Sequence, residues 1–222
     1  VTNRQIRNMI GQSNSAFNFR KVMDEGKILI VNLSKGKLGE ENSNFLGMIL
    51  VPQLLMAAMS RADIPESQRR PFYLYVDEFQ NFAMPDFATI LSEARKYKLN
   101  LIVANQFIGQ MDEDVKNAIF GNVGTLMTFR TGVSDAGYLQ HEFSPTFNEA
   151  DILNIEKYHV YIKTIINNEP APSFSMDVTK DIAAERKLHN PKLAEAIKQL
   201  SRLKYGRDVR LVEAEIAERA KL

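Results

Sequence analysis

The chain has 222 residues, long enough to bury a substantial core, and its 45% hydrophobic and 25% charged residues exclude a disordered or low-complexity protein. Its 28 Lys and Arg stand against 27 Asp and Glu, so a formal net charge of +1 names no partner. Cysteine is absent, which excludes disulfides, thiolate metal sites and cysteine nucleophiles, and His141, His159 and His189 lie too far apart for a zinc spacing.

The chain opens on Val1. Residues 1–12 carry two arginines and no apolar run, so they are not a signal peptide, and the start reads as a point inside a longer polypeptide. The first predicted strand is 27–33 (KILIVNL), bounded by Gly26 and by the polar stretch 34–39. Residues 45–59 follow, apolar on nearly every face, with Pro52 and Gln53 inside. These 15 residues fall short of the roughly 20 that span a bilayer, so the helix is expected in the core of a soluble α/β layer. Ser43 or Asn44 would cap it and residues 61–65 would end it.

Four more apolar runs follow: 72–76 (FYLYV), 99–104 (LNLIVA), 125–129 (TLMTF) and 159–166 (HVYIKTII). Short continuous runs rich in Ile, Val, Tyr and Phe are what strands buried on both faces look like. Between them lie helical periods. Phe87, Ile90, Leu91 and Ala94 follow Pro85-Asp86, and Asp112 can cap a helix carrying Val115, Ala118 and Ile119 that stops at Gly121. Strands alternating with helices predict an α/β fold, a mostly parallel sheet with helices on both faces.

Beyond Asn167 the pattern changes. Residues 173–178 suit an edge strand after Pro170 and Pro172. Asn190 and Pro191 open a helix with the stripe Leu193, Ile197, Leu200 and Leu203, and Gly206 closes it. A last segment repeats the device with Val209, Val212, Ile216 and Ala220. Residues 180–222 hold 11 Lys and Arg against 7 Asp and Glu, the one basic excess in the chain. The expected division is therefore 1–178 as an α/β unit and 179–222 as an amphipathic helical tail that docks on something.

The run 72–76 ends in Asp77-Glu78, two carboxylates where a strand meets its loop. In an open parallel sheet, ligands gather at the carboxyl ends of strands. Nucleotide hydrolysis uses such a pair: one acid holds Mg²⁺, usually through water, and its neighbour activates the attacking water. The bland alternative is a polar turn. The next strand ends in Asn105-Gln106, placing an amide 28 residues after Glu78 at the same edge of a neighbouring strand. Gln106 could orient water or be an ordinary loop amide. Arg95, Lys96 and Lys98 end the intervening helix, where cations offset the helix dipole, and an arginine there could also reach a phosphate in a neighbouring subunit.

The segments 26–47, 73–82 (YLYVDEFQNF), 91–106 and 119–136, in this order, resemble the C-terminal half of the RecA-like motor ATPases of the HerA/FtsK superfamily. The likeness is greatest to the conjugative coupling and type IV secretion ATPases. It implies a RecA-like fold, Asp77 and Glu78 as the Walker B pair with Glu78 catalytic, Gln106 as the sensor, and Arg95 as the arginine delivered to a neighbouring subunit. Arg130 is a weaker candidate for a similar task, its alternative being a strand-end cation. ATP and Mg²⁺ as cofactors, a ring hexamer of this chain, DNA as substrate and type IV secretion components at the inner membrane are implied too.

No GxxxxGK(S/T) occurs in the sequence: Gly26-Lys27 and Gly36-Lys37 are followed by Ile28 and Leu38. The fold is thus expected to lack its Walker A strand, which in the family lies between the strands corresponding to 99–104 and 125–129, and the chain alone is expected to be inactive. A non-catalytic interaction domain, or a cytoplasmic translocase that processes DNA ends, are the other readings.

Overall fold

The computed structural model describes residues 3–82 and 93–220. Contacts divide the chain into two units: Val1–Leu74 with Ala94–Leu101 and Leu188–Leu222, and Tyr75–Glu93 with Ile102–Lys187.

In the first unit, Asn3 caps α1 (Arg4–Ile10) and Asn18 caps α2 (Phe19–Asp24), each side-chain oxygen accepting first-turn N–H groups that have no helical partner. The expected strand over 27–33 is extended chain without a ladder among the described residues, and Ile28 and Ile30 are exposed. Its apolar composition signals burial, but a strand also needs a neighbouring edge to pair with, and no described edge reaches it.

After α3 (Lys35–Leu38) comes α4 (Glu40–Met59). Gly39 joins them at φ 81°, a conformation that favours glycine. The helix begins earlier than Ser43 or Asn44 because Glu40 and Glu41 complement the positive end of its dipole, while the Ser43 hydroxyl donates instead to the Leu33 carbonyl. Pro52 lies inside it. Only one side of α4 is buried, through Gly47, Val51, Leu54, Leu55 and Ala58; Phe45, Met48, Ile49, Met56 and Met59 are exposed, contrary to the all-round burial expected. Residues Glu40–Asp63, α4 with the turn after it, are long and apolar enough to cross a membrane, a test that core helices also pass.

That turn holds Arg61, whose side chain is fully buried. Arg61 donates to the carbonyls of Arg70, at 2.7 Å, and Tyr97, while Arg69 reaches the carbonyls of Arg61, Ile64 and Lys96. Desolvation pushes the Arg61 pKa down, partly opposed by Asp24 at 3.9 Å. These bonds tie together the two chain segments that lead into β1 (Phe72–Val76) and β2 (Leu99–Val103). The strands run parallel: Phe72 N–H bonds the Lys98 carbonyl at one end and Ala104 N–H the Val76 carbonyl at the other. The expected helix stripe from Phe87 to Leu91 lies outside the described residues.

In the second unit, Asp112 caps α5 (Glu113–Asn122), which runs one residue past Gly121. Strand β3 (Thr125–Thr128) leads to α6 (Val133–Phe143) and to α7 (Glu149–Leu153), which opens on a capping box of Asn148 and Asp151. Strand β4 (His159–Ile166) turns through Asn167 and Asn168, both at positive φ, into β5 (Glu169–Pro170), and β6 (Phe174–Asp177) follows. Two such residues are what a two-residue hairpin turn demands. Ala136, Leu139, Phe143, Ile152 and Ile155 form the core beside this sheet, with Phe147 stacked on Tyr161 at 3.7 Å.

The sheet corrects the expectation of a mostly parallel arrangement. β4 pairs antiparallel with β3 (Thr125 opposite Thr164, Thr128 opposite Tyr161), with β5 and with β6. The parallel pair among the described residues is β1 and β2, and no described strand pairs with the other edge of β2 or of β3. Apolar runs report burial but not direction, and Tyr73 and Tyr75 of β1 are exposed, so that strand is covered on one face rather than two. The observed class is α/β with one small parallel and one antiparallel sheet.

Three helices end the chain; the first lies in the second unit except for its last residue, and the other two group with residues 1–74. They are α8 (Ile182–Leu188), α9 (Pro191–Tyr205), capped by Asn190 with Pro191 in its first turn, and α10 (Val209–Arg219), capped by Asp208. α10 docks on α1: Arg4 grips Glu213 at 2.5 and 2.7 Å, Asn8 adds a bond at 2.8 Å, and Arg219 donates to the Gly11 carbonyl. Glu215 accepts from Ser13 and Arg207.

Hydrogen bonds from Arg4 and Asn8 hold the Glu213 pKa down at about 2, and those from Ser13 and Arg207 do the same for Glu215. A depressed carboxylate stabilises the fold above its ordinary value of 4.5 and loses that contribution as the pH falls through its folded value. Docking of α10 is therefore expected to weaken between pH 4.5 and about 2 and to be indifferent to pH above 5. An NMR titration of the side-chain carboxyl carbons checks this. Midpoints near 4.5 in the folded protein would show that the clamp does not hold in solution.

Candidate functional site

β1 ends at Val76, and the next two residues are Asp77, exposed, and Glu78, half-buried. The turn that carries them is pinned from both sides by one residue of the neighbouring strand's exit: Ala104 N–H donates to the Val76 carbonyl at 2.9 Å, and Phe79 N–H donates to the Ala104 carbonyl at 3.0 Å. Phe79 and Phe82 are buried, so the chain just beyond the carboxylates is anchored by apolar burial. With both flanks fixed, Glu78 takes φ 53° and ψ 42°, left-handed backbone that a non-glycine residue enters at a cost of about 1–2 kcal/mol. Asp77 offsets part of it, its Oδ1 accepting the Glu78 N–H at 3.0 Å. Strain of this kind persists where its surroundings fix it, and it collects at functional turns.

The Glu78 carboxylate receives two amide donors. Gln80 Nε2 bonds Oε2 at 2.6 Å, and Gln106 Nε2, from the segment after β2, bonds Oε1. A carboxylate has about four acceptor positions, so two stay available for a water proton. The structure thus brings together Asp77, Glu78 and Gln106. It places Arg95 on an exposed 3₁₀ turn, Arg95–Tyr97, and Arg130 exposed in the bend that follows β3.

Gln80 is the residue that sequence reasoning missed. Its only signal was a position two after Glu78, on the side where a tight turn brings side chains back together. Gln80 Oε1 is buried and accepts no hydrogen bond among the described residues, which leaves it able to receive one from water or a ligand.

Asp77 and Glu78 offer the hard oxygen donors that Mg²⁺ takes, and that ion is ordinarily bound by one or two carboxylates plus waters and phosphate oxygens. Among the described residues no group of three or more His, Asp or Glu could hold a metal, so an ion here would need phosphate and water to complete its shell. The backbone cradle and lysine of a phosphate-binding loop have no counterpart in the sequence. The residues fit the metal and water side of a nucleotide site and do not fit its phosphate-gripping side.

Residues 71–166 match a family model described as the TraM recognition site of TraD and TraG. That stretch runs from just before β1 to the end of β4 and contains the whole cluster. No curated protein matches the chain. Similar solved structures include the bacterial conjugative coupling protein TrwBdeltaN70. Its unbound form has 17% identity and a TM-score of 0.48, over 59% of this chain and 36% of that one. Its sulphate complex has 16% and 0.48, over 63% and 38%. The genome packaging NTPase B204 of Sulfolobus turreted icosahedral virus 2, in complex with AMPPCP, has 12% and 0.49, over 76% and 74%. The chain spans less than two-fifths of the coupling-protein structures.

Proposed function

From the family-level resemblance of this chain to the conjugative coupling ATPases of the HerA/FtsK superfamily, we propose that it supplies the water-activating half of an ATP site in a ring-shaped translocation motor. The observation that carries the reading is the Glu78 carboxylate held by the Gln106 amide across two neighbouring strand ends. Glu78 accepts the proton of the attacking water and Gln106 orients that water. Asp77 would hold Mg²⁺, and the ion with bound ATP would supply the electrophilic phosphorus. Arg95, exposed at the surface, reaches the phosphates of a neighbouring copy, with Arg130 as a second cation for a similar task. The phosphate cradle comes from polypeptide outside these residues. DNA is the substrate, and the motor works at the cytoplasmic face of the inner membrane.

A second reading is favoured by one observation, the absence of GxxxxGK(S/T) from the sequence. In it, residues 71–166 are a non-catalytic surface recognising a protein of the TraM kind.

The split site has a direct test. Titration calorimetry of the 222-residue chain with Mg·ATP is expected to show no binding tighter than about 1 mM, a level near −4 kcal/mol. Joining the chain to a GxxxxGK(S/T) loop in one polypeptide is expected to produce turnover. A micromolar dissociation constant for the chain by itself would overturn the division of the site, and a joined protein with no turnover would favour the recognition surface.

A further inference from the structure

Helix α9 carries an apolar stripe that nothing among the described residues covers. Leu193, Ile197, Leu200 and Leu203 are 55–83% exposed, and Leu188, at the end of α8, is exposed too. At 3.6 residues per turn these side chains fall within one sector of the helix. Five charged side chains share the helix: Lys192, Lys198, Arg202 and Lys204, against the single acid Glu195. Lys192 borders the stripe at its first turn, and Lys204, its Nζ 5.4 Å from the Tyr205 ring centre, ends the stripe's sector at the last turn, while Lys198 and Arg202 share the opposite face with Glu195.

We propose that α9 is an interfacial helix that lies on an anionic phospholipid surface. Its apolar stripe inserts at the level of the acyl-chain boundary, and the lysines at either end reach up to the phosphates, their methylene stems lying against the apolar layer. The helix has 15 residues, about 22 Å of length, too short to span a bilayer and suited to lying in its plane. Charge selects this occupant over a second copy of the same helix. A second copy would bring four further cations and one acid to the seam, adding like charge and no compensating acid. An anionic surface meets Lys192 and Lys204 with opposite charge, while Lys198 and Arg202 stay on the solvent side with Glu195. The proposal does not depend on nucleotide chemistry and stands or falls apart from it.

The test is co-sedimentation of the purified chain with vesicles of phosphatidylcholine alone and with vesicles in which half is phosphatidylglycerol. Binding is expected on the anionic vesicles, weakened by salt, and absent on the neutral ones. Leu200→Glu with Leu203→Glu should abolish it. Lys192→Ser with Lys204→Ser should lower the partition coefficient by about fivefold per lysine, since a basic residue near an anionic surface contributes about 1 kcal/mol. These side chains are exposed, so the far-UV circular dichroism of the variants should match the parent, and a matching spectrum is required before loss of binding is scored. No sedimentation with anionic vesicles, or equal sedimentation with neutral ones, overturns the proposal. So does a dimer in light scattering that Leu200→Glu with Leu203→Glu converts to monomer, because the stripe would then be covered by a second copy.

Discussion

Glu78→Gln, placed in a polypeptide that joins these residues to a GxxxxGK(S/T) loop, is expected to lower ATP turnover by about 10²–10⁴-fold, the range that a positioned general base supplies. ATP binding is expected to be unchanged. The substitution keeps the size of the side chain and demands the same left-handed backbone, so the turn pinned by Ala104 has no reason to move. Gln80 and Gln106 donate to different oxygens, so one keeps its acceptor and the other, facing the new NH₂, can turn its own amide oxygen to accept from it. What disappears is the capacity to accept a proton. Gln106→Ala provides the contrast: it leaves the base and removes a donor that orients it, and the expected loss is smaller. Single-turnover hydrolysis with bound ATP measured separately distinguishes these steps. Undiminished turnover in Glu78→Gln would take Glu78 out of the reaction and leave recognition of a partner protein as the better account of residues 71–166.

The carboxylate pair and its distance in sequence from Gln106 are legible in the sequence alone, because both depend on where an apolar run stops. FYLYV is a strand over its predicted length, and LNLIVA is one residue shorter than expected. Capping signals were equally direct: Asn190-Pro191 and Asp112 open helices where their side chains can serve unpaired N–H groups. Strand direction was not legible. TLMTF and HVYIKTII are as apolar as parallel strands, and their antiparallel pairing is set by tertiary contacts that no local pattern encodes. Residues 27–33 show the same limit from the other side, since composition marks a strand but cannot supply its neighbour. Gln80 escaped notice because its role depends on the left-handed turn at Glu78, a conformation no rule assigns to glutamate. The α1–α10 clamp joins Arg4 to Glu213, and no pattern within a short window connects residues so far apart.

Arg61 was read from sequence only as part of a helix terminus, yet the largest stability effect is expected there. Arg61→Met sets two terms against each other. Removing a fully buried guanidinium relieves a desolvation cost that already pushes its pKa down, and buried charges have been replaced by apolar residues with a net gain in stability. Against this, the carbonyls of Arg70 and Tyr97 lose two part-buried bonds from a charged donor, each contributing about 1.5–3 kcal/mol. Asp24, partly exposed and 3.9 Å away, can be resolvated and adds little. Two lost bonds from a charged donor outweigh the relief of one buried cation, so the net expectation is a loss of about 2–4 kcal/mol, a large share of a typical domain's stability. Arg61→Lys should recover only part of it, since one ammonium cannot fork to both carbonyls. In urea denaturation the expected signature is a lower midpoint with an unchanged slope. A Met variant as stable as the parent would mean that desolvation dominates, and that strand β1 finds β2 without the arginine fork that precedes them.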